Sequence, residues 1–433
     1  MTNSNTQSEG LPPRVVITGI GVITPLGRSL GAIWSALENN ESGVRNISRF
    51  DASGFESKVA GEIQESDRVD NRFRPDYFQS LRSSSRYTAS AALSAIQAAG
   101  LSLTPENSGQ IACVIASTES PDVITPTDEE QIENTDTSHP SQNVAAFLGI
   151  TGPVIPLDGR YLSGLEAIIE ASEMIRRKDA YVAIAGGTDA QIDAATFTAS
   201  EDRKELTTQG NSNPALASRP LDKDRNGKVL SEGSVVFVLE ALEVAVTRGA
   251  KILAEIEGKS LTFSAGSNGK PTIDPVYIGR SIQGALLSSG RIQSEIDVLM
   301  LDACGSQEGD LAEARAVHRV FGGSVRHHMY TPAVKSHIGD MGAAAAPFAL
   351  ALTIEAMSRQ QIPSTRNIEN EASDIDLDAN TKGFRSDALR VAMINSVSKS
   401  NNSTMTICDP TAMREIPSDF NIPENLPIPE LDI

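Results

Sequence analysis

The sequence predicts an α/β protein whose sheets are covered by helices on both faces, and three observations lead there. Apolar strand runs alternate with helical periodicity, as in "RVVITGIGVITPLG" (14–27), "IACVIAST" (111–118) and "YVAIAGGTDA" (181–190). These runs are near-continuous in Val, Ile and Ala, the composition of strands buried on both faces. The strand–helix alternation restarts at residue 251 in a chain of 433 residues. A single core rarely grows past about 250–300 residues, so two core units or an internal duplication is expected.

Each element follows in order. Residues 1–13 are polar, lack the basic and apolar regions of a signal peptide, and read as a disordered leader. The first half, 14–250, opens on the strand of 14–27. It continues with a helix over 29–40 that places Ile33, Trp34 and Leu37 on one face. An Ala-rich helix over 78–100 ends at Gly100, and a strand follows at 111–118. Residues 119–142 are polar and acidic without a period, and read as a long surface excursion. A short helix is read at 142–150. "VIPLDGRYLSGLEAIIEASEMIRRK" (154–178) is a strand, a turn at Gly159, and a helix starting near Ser163 and Gly164. Leu165, Ile168, Ile169 and Ile175 fall on one face of that helix, with Ser172 among them. A strand at 181–190 and a strand–helix pair at 234–250 complete the half. The second half, 251–409, reads as strand (251–261), helix (277–290), strand into a turn (296–306), helix (309–322), small-residue helix (342–361) and two closing strands (390–397, 404–409). The tail, 410–433, has Pro417, Pro423, Pro427 and Pro429 among acidic residues and reads as extended on the surface or disordered.

Composition narrows the function. The formal charge of −19 makes nucleic acid an unsuitable partner and disfavours broad docking on an acidic protein. No apolar run approaches the roughly 20 residues of a membrane span, and a cytoplasmic protein is expected. Cys113, Cys304 and Cys408, with His139, His318, His327, His328 and His337, show no metal-ligand spacing, so neither metal nor cofactor is expected.

The turn at 158–164 has the shape of a nucleophile site: the junction faces the positive end of a helix dipole, which favours a thiolate or an oxyanion. Tyr161 stands there, and a phenol stays protonated near neutral pH. Its surroundings resemble the β-ketoacyl-ACP synthases of the thiolase superfamily, most closely the type II enzymes and their polyketide relatives. The resemblance is carried by 14–27, "SGVRNISRFDASGF" (42–55), "AGGTDA" (185–190), "SRPLDKDRNGKVLSEGS" (218–234), "GDLAEARAVHRVFG" (309–322) and "VKSHIGDMGAAAA" (334–346), in the right order. It implies a thiolase-like fold of two similar βαβαβαββ halves in five α-β-α-β-α layers, usually dimeric. It also implies condensation of acyl and malonyl thioesters on acyl carrier protein by a cysteine and two histidines, with a backbone oxyanion hole.

Placed on that pattern, the reacting groups are absent. Tyr161 falls at the cysteine position, Cys304 at the first histidine and Asp340 at the second. An ionised Asp340 would repel a malonyl carboxylate. His337 lies three residues earlier, offset from the family position. Lys335 matches the family lysine, and Asp310 and Glu313 match the acids that accompany it, so a structural pairing of Lys335 with Glu313 is expected. "NSVSKSNNS" (395–403) lacks the glycines and the gating phenylalanine of the family loop, and Lys399 stands at the gate. Lys228 replaces a family aromatic. His139, Gln142, Asn143 and Leu162 lie where the family faces its partner subunit.

These substitutions imply a non-elongating subunit of fatty acid or polyketide synthesis. Such a chain would resemble a chain length factor, pair with a complete ketosynthase, shape its acyl tunnel and meet carrier protein only indirectly. Two alternatives stand beside it. One is an enzyme with altered acyl transfer or decarboxylation chemistry using Cys304 or Asp340. The other is a homodimeric acyl-binding or structural protein.

Overall fold

The computed structural model describes residues 12–64, 70, 72, 80–118, 139–159, 164–190, 192–266, 270–322 and 329–415. The leader, most of the 119–142 excursion, the distal tail, Tyr161 and Leu162 therefore lie outside the described residues. In chain order the first half runs β1 (Val15–Ile23), α1 (Leu30–Glu38), β2 (Val44–Asn46), β3 (Val59–Gly61), α2 (Ser83–Ala99), β4 (Ile111–Ser117) and α3 (Pro140–Leu148). It continues β5 (Val154–Asp158), α4 (Gly164–Arg176), β6 (Val182–Asp189), α5 (Ala194–Asp202), β7 (Gly233–Ala241) and α6 (Leu242–Thr247). The second runs β8 (Ala254–Phe263), α7 (Pro275–Ser289), β9 (Val298–Met300), α8 (Gln307–Phe321), α9 (Lys335–Ile338), α10 (Ala345–Arg359), β10 (Gln361–Ile362), β11 (Arg385–Ser386), β12 (Val391–Val397) and β13 (Asn401–Cys408).

Nine strands form one mixed sheet in the order β5-β4-β6-β7-β1-β8-β13-β12-β9. The half containing β1 and the half containing β8 share one permuted order. In each, the first strand pairs antiparallel with the last, and that last strand pairs antiparallel with the strand before it. Beyond β9, Tyr330 bridges Val298 in parallel, where β5 lies beside β4 in the other half. The halves are joined where Val15, Val16 and Ile17 of β1 pair with Ile256, Glu255 and Ala254 of β8, so the two sheets are continuous there.

The five layers follow from what the helices touch. Helix α2 packs on β1, β6 and β7, and α7 packs on β8 and β13, giving the outer layers. Helix α4 touches β4, β6 and β7 of one half and β8 and β13 of the other, and α10 likewise reaches both, giving the central layer. A central helix packs on both sheets, and Leu165, Ile168, Ile169, Ser172 and Ile175 of α4 are all buried, with Glu170 and Glu173 left partly exposed. Small residues set the spacing: a Cβ on Gly21 would lie 1.8 Å from the Ala91 carbonyl oxygen of α2. The expected helix face of Ile33, Trp34 and Leu37 is buried on α1, whose Ser29 cap accepts the Ala32 N–H.

Two readings change. The strand read over 296–306 is only β9, because past Met300 the Asp302 N–H turns to the Glu313 carboxylate, 2.9 Å away, and leaves the ladder. Helix α5 was not anticipated; it buries only Phe197 and Ser200, too few for a legible stripe.

Strand β5 is an edge. Cys113 N–H donates to Pro153 O (2.9 Å) and Gly159 N–H to Ser117 O (3.3 Å), which fixes the parallel register. Ile155 and Leu157 therefore turn their amides to β4, while Val154, Pro156 and Asp158 turn outward. Pro156, exposed at the centre of the strand, has no N–H to offer there.

Candidate active site

The start of helix α4, which follows the reactive turn in the resembling family, is closely packed here. Helix α4 begins at Gly164, where a Cβ would lie 2.4 Å from Pro347 Cγ and 2.6 Å from Ala343 O. A Cβ on Gly187 of β6 would meet the same Ala343 oxygen at 2.1 Å. Only glycine lets the strand, the helix start and the 342–347 turn approach this closely. Asp340 stands three residues before Ala343, so the second-histidine position is delivered to the start of α4 by chain continuity.

Around Asp340 the charged groups alternate. Lys228 Nζ lies 3.2 Å from Asp340 Oδ2, and Lys335 Nζ lies 3.1 Å from Asp340 Oδ1 and 2.9 Å from Asp302 Oδ1. Backbone bonds hold the chain of pairs in place: Asp340 N–H donates to Val229 O (2.8 Å), and Ser231 N–H donates to Asp340 O (2.9 Å). This threads the 228–231 segment beside Asp340. Lys335 is 7% exposed.

Burial favours neutral forms, and here ion pairing opposes it. Burial alone would lower the Lys335 pKa, but Asp302 and then Asp340 hold it well above the usual lysine range. Against the same burial penalty, Lys335 and Lys228 hold Asp340 well below the usual carboxylate range. Asp302 has one lysine and the repulsion of Asp340, and burial pushes it up to about 6. Glu313 is pushed up to about 8 by burial, with Asp302 adding to it. At neutral pH two lysines face two ionised aspartates, with Glu313 protonated, and the cluster is neutral.

The expected Lys335–Glu313 pair is therefore corrected. Glu313 Oε1 accepts from Asp302 N (2.9 Å) and Asn395 Nδ2 (2.7 Å), and the lysine goes to Asp302 and Asp340, whose shorter side chains sit beside it. Asp310 accepts the N–H groups of Cys304 (3.0 Å), Gly305 (3.1 Å) and Leu221 (2.9 Å), with Arg225 Nε at 3.6 Å. It fixes the turn that carries Cys304. The half-buried Cys304 thiol is pushed up to about 12, by burial first and then by Asp310, so it is protonated and weakly nucleophilic. His337 is fully buried, its Nε2 lies 2.8 Å from Ser364 O, and burial lowers it to about 4. That imidazole is neutral and turned to a backbone carbonyl.

At the gate position, residues 398–400 form a tight hairpin turn. Val397 pairs with Asn402, and Ser398 N–H and Oγ both bond Asn401 O at 2.9 Å. Lys399 is exposed and reaches across to Glu205 Oε1 at 3.5 Å. Of the positions expected to face a partner, His139 and Asn143 are buried in their own chain. His139 caps α3 and lies 3.1 Å from Asp158 Oδ1; Asn143 Nδ2 donates to Ser85 Oγ at 2.9 Å. Gln142 is exposed.

The duplicated, layered α/β architecture matches known proteins. Residues 13–245 match the model "Beta-ketoacyl synthase, N-terminal domain" and residues 253–369 match "Beta-ketoacyl synthase, C-terminal domain". The chain belongs to the β-ketoacyl synthase family. It is 28% identical to 3-oxoacyl-[acyl-carrier-protein] synthase 2 of Vibrio harveyi, over 88% of this chain and 95% of that one. It is 32% identical to the tetracenomycin polyketide synthase ketoacyl synthase alpha subunit of Streptomyces glaucescens, over 84% and 89%. Among solved structures it is similar to the ishigamide ketosynthase/chain length factor, with TM-score 0.79 and 26% identity over 92% of this chain and 99% of that one.

Sequence reasoning missed Asp302, Asn395 and Arg225 in this β-ketoacyl synthase chain. Asp302 sat inside an apparent strand. Asn395 and Arg225 lie in the 395–403 and 218–234 segments, but their partners, Glu313 and Asp310, come from a distant segment. Elsewhere, Glu255, Glu257 and Cys408 offer ligand atoms within 4.8 Å of one another. Arg14 and Arg291 already hold the two carboxylates, with shortest contacts of 2.6 Å, so guanidinium takes the place a cation would fill.

Proposed function

We propose that this chain is a non-elongating ketosynthase-like subunit of fatty acid or polyketide synthesis. It pairs with an active ketosynthase in the cytoplasm and shapes the acyl tunnel, in the manner of a chain length factor. The observation that carries the reading is Asp340. The residue at the second-histidine position is an ionised carboxylate held by Lys228 and Lys335. An ionised carboxylate neither donates a hydrogen bond to a developing enolate nor tolerates a malonyl carboxylate beside it.

Other features support it. Tyr161 takes the cysteine position in the sequence, and a phenol is a poor acyl acceptor there. Lys399 in a short hairpin turn replaces a swinging gate. A reactive Cys304 is disfavoured by its raised pKa, and Asp340 as a base by its lowered one, which counts against altered chemistry at either residue.

Pairing with a different chain is supported over self-pairing by β5. If two copies met edge to edge about a two-fold axis at Pro156, proline would face proline and both central donors would be missing. A different chain loses only one. Gln142, exposed on α3, is the partner-facing candidate that remains among the described residues, with Leu162 outside them. The halves assigned to 14–250 and 251–409 are part of the same proposal, as is docking of carrier protein on the active partner rather than on a surface of charge −19.

The test is co-expression with a complete ketosynthase, followed by size exclusion and native mass spectrometry. A stable one-to-one heterodimer is expected. A homodimer that ignores every complete ketosynthase would overturn the proposal.

A further inference from the structure

The geometry points to a carboxylate-binding site formed by Lys228 and Lys335 and occupied by the chain's own Asp340. Each oxygen of the Asp340 carboxylate faces one ammonium, at 3.2 Å to Lys228 and 3.1 Å to Lys335. That is how a two-lysine clamp receives a free carboxylate: one anion, two cations, one oxygen each. The lysines come from different halves of the chain, separated from each other by the whole of β7 to β9. They meet only because the 228–231 segment runs beside Asp340.

The ammonium of Lys335 and the main chain of Lys228 are set in place by contacts other than Asp340. Lys335 is anchored by Asp302 at 2.9 Å. Lys228 is held through its backbone: its N–H donates to Glu205 O and its carbonyl accepts from Thr207 N, each at 2.9 Å. The clamp therefore persists when Asp340 is shortened. What the shortening removes is the anion between them, leaving Lys335 buried with Asp302 alone and the partly exposed Lys228 without its carboxylate, a state that favours taking up an anion from solution.

In the native chain Asp340 is a tethered competitor. A tethered group acts at an effective concentration set by its tether, in the millimolar range or above, and a free carboxylate must exceed it to displace it. The class of ligand excluded is a small aliphatic carboxylate. Its link to the carboxylate of a malonyl thioester rests on the reading given under Proposed function. The anion site itself does not depend on subunit pairing, so the two fail separately.

The test restores the missing atoms from solution, using probes that replace what each variant removes. Asp340→Gly lacks an acetate's worth of side chain, and Asp340→Ala lacks a formate's worth. Position 340 does not have positive φ, so neither change is favoured or barred by backbone conformation. Thermal unfolding of the full chain is followed in acetate, formate and chloride at equal ionic strength. Asp340→Gly is expected to bind acetate, and Asp340→Ala formate, at least ten-fold more tightly than the unsubstituted chain binds either. Adding Lys228→Met should abolish the gain. Recovery of soluble protein only in the matching carboxylate would support the site equally. Equal stabilisation by chloride, an equal response of the unsubstituted chain, or failure of both variants to fold or be stabilised in either carboxylate would overturn it.

Discussion

Replacing Lys335 by Met is the perturbation whose cost follows most directly from the geometry. Lys335 Nζ is the only cation that touches both Asp302 and Asp340 among the described residues, at 2.9 and 3.1 Å. Methionine keeps most of the side-chain volume, so the loss is electrostatic rather than a cavity. Breaking a buried pair by removing one partner costs about 3–5 kcal/mol, because the other charge is left uncompensated. Here Lys228 still faces Asp340, which places the cost towards the lower end, at about 3 kcal/mol. Without Lys335 both carboxylates bind protons more readily in the folded state. The loss should therefore be larger at pH 8 than at pH 5, where protonation relieves the repulsion. Urea denaturation at the two pH values, followed by circular dichroism, measures both. Asp302→Asn in the Lys335→Met background should recover most of the loss, since Asp340 keeps Lys228 and neither carboxylate of the pair is then left without a cation. A loss below about 1 kcal/mol, or one that does not change with pH, would refute the reasoning by placing the cluster in the range of exposed pairs.

Three further outcomes follow. His337 has its pKa lowered from 6.5 to about 4 by burial, so the unfolded chain binds the extra proton and stability falls as pH drops through that window. The full effect is about 3 kcal/mol, and denaturation of His337→Gln between pH 7 and pH 4 should show a flatter profile. With its thiol pushed up to about 12, Cys304 should resist iodoacetamide in the folded chain near neutral pH, as mass spectrometry of labelled peptides would report. Pro156→Val restores the outward donor of β5. Two regained hydrogen bonds of about 1 kcal/mol each should strengthen self-association roughly thirty-fold by sedimentation, and an unchanged association constant would remove β5 from the interface argument.

The sequence made the layered fold legible because strands buried on two faces and helices buried on one stripe leave periodic patterns. The helix from Gly164 was found through Leu165, Ile168 and Ile169, and its place between the sheets was implied by the family resemblance. The cluster was only half legible. Lys335, Asp340, Asp310 and Glu313 lie in short recognisable motifs, but which lysine meets which acid depends on contacts across 112 residues between Lys228 and Asp340. Asp302 was hidden because one residue beyond a strand end looks like the strand. Glu313 was misassigned for a physical reason: its carboxyl is buried against a backbone N–H and the Asn395 amide, which stabilise it without a cation. His139 and Asn143 were read as facing outward, whereas capping and the bond to Ser85 draw them in.

The central claim is that this chain does not elongate acyl groups by itself and does its work beside an active ketosynthase. The most direct measurement is elongation of acyl thioester by malonyl-carrier protein with the purified chain alone, with a complete ketosynthase alone, and with the pair. The account predicts no product from the chain alone, product from the pair, and a changed length distribution when Tyr161→Gly is used in the pair. Elongation by the chain alone would contradict it.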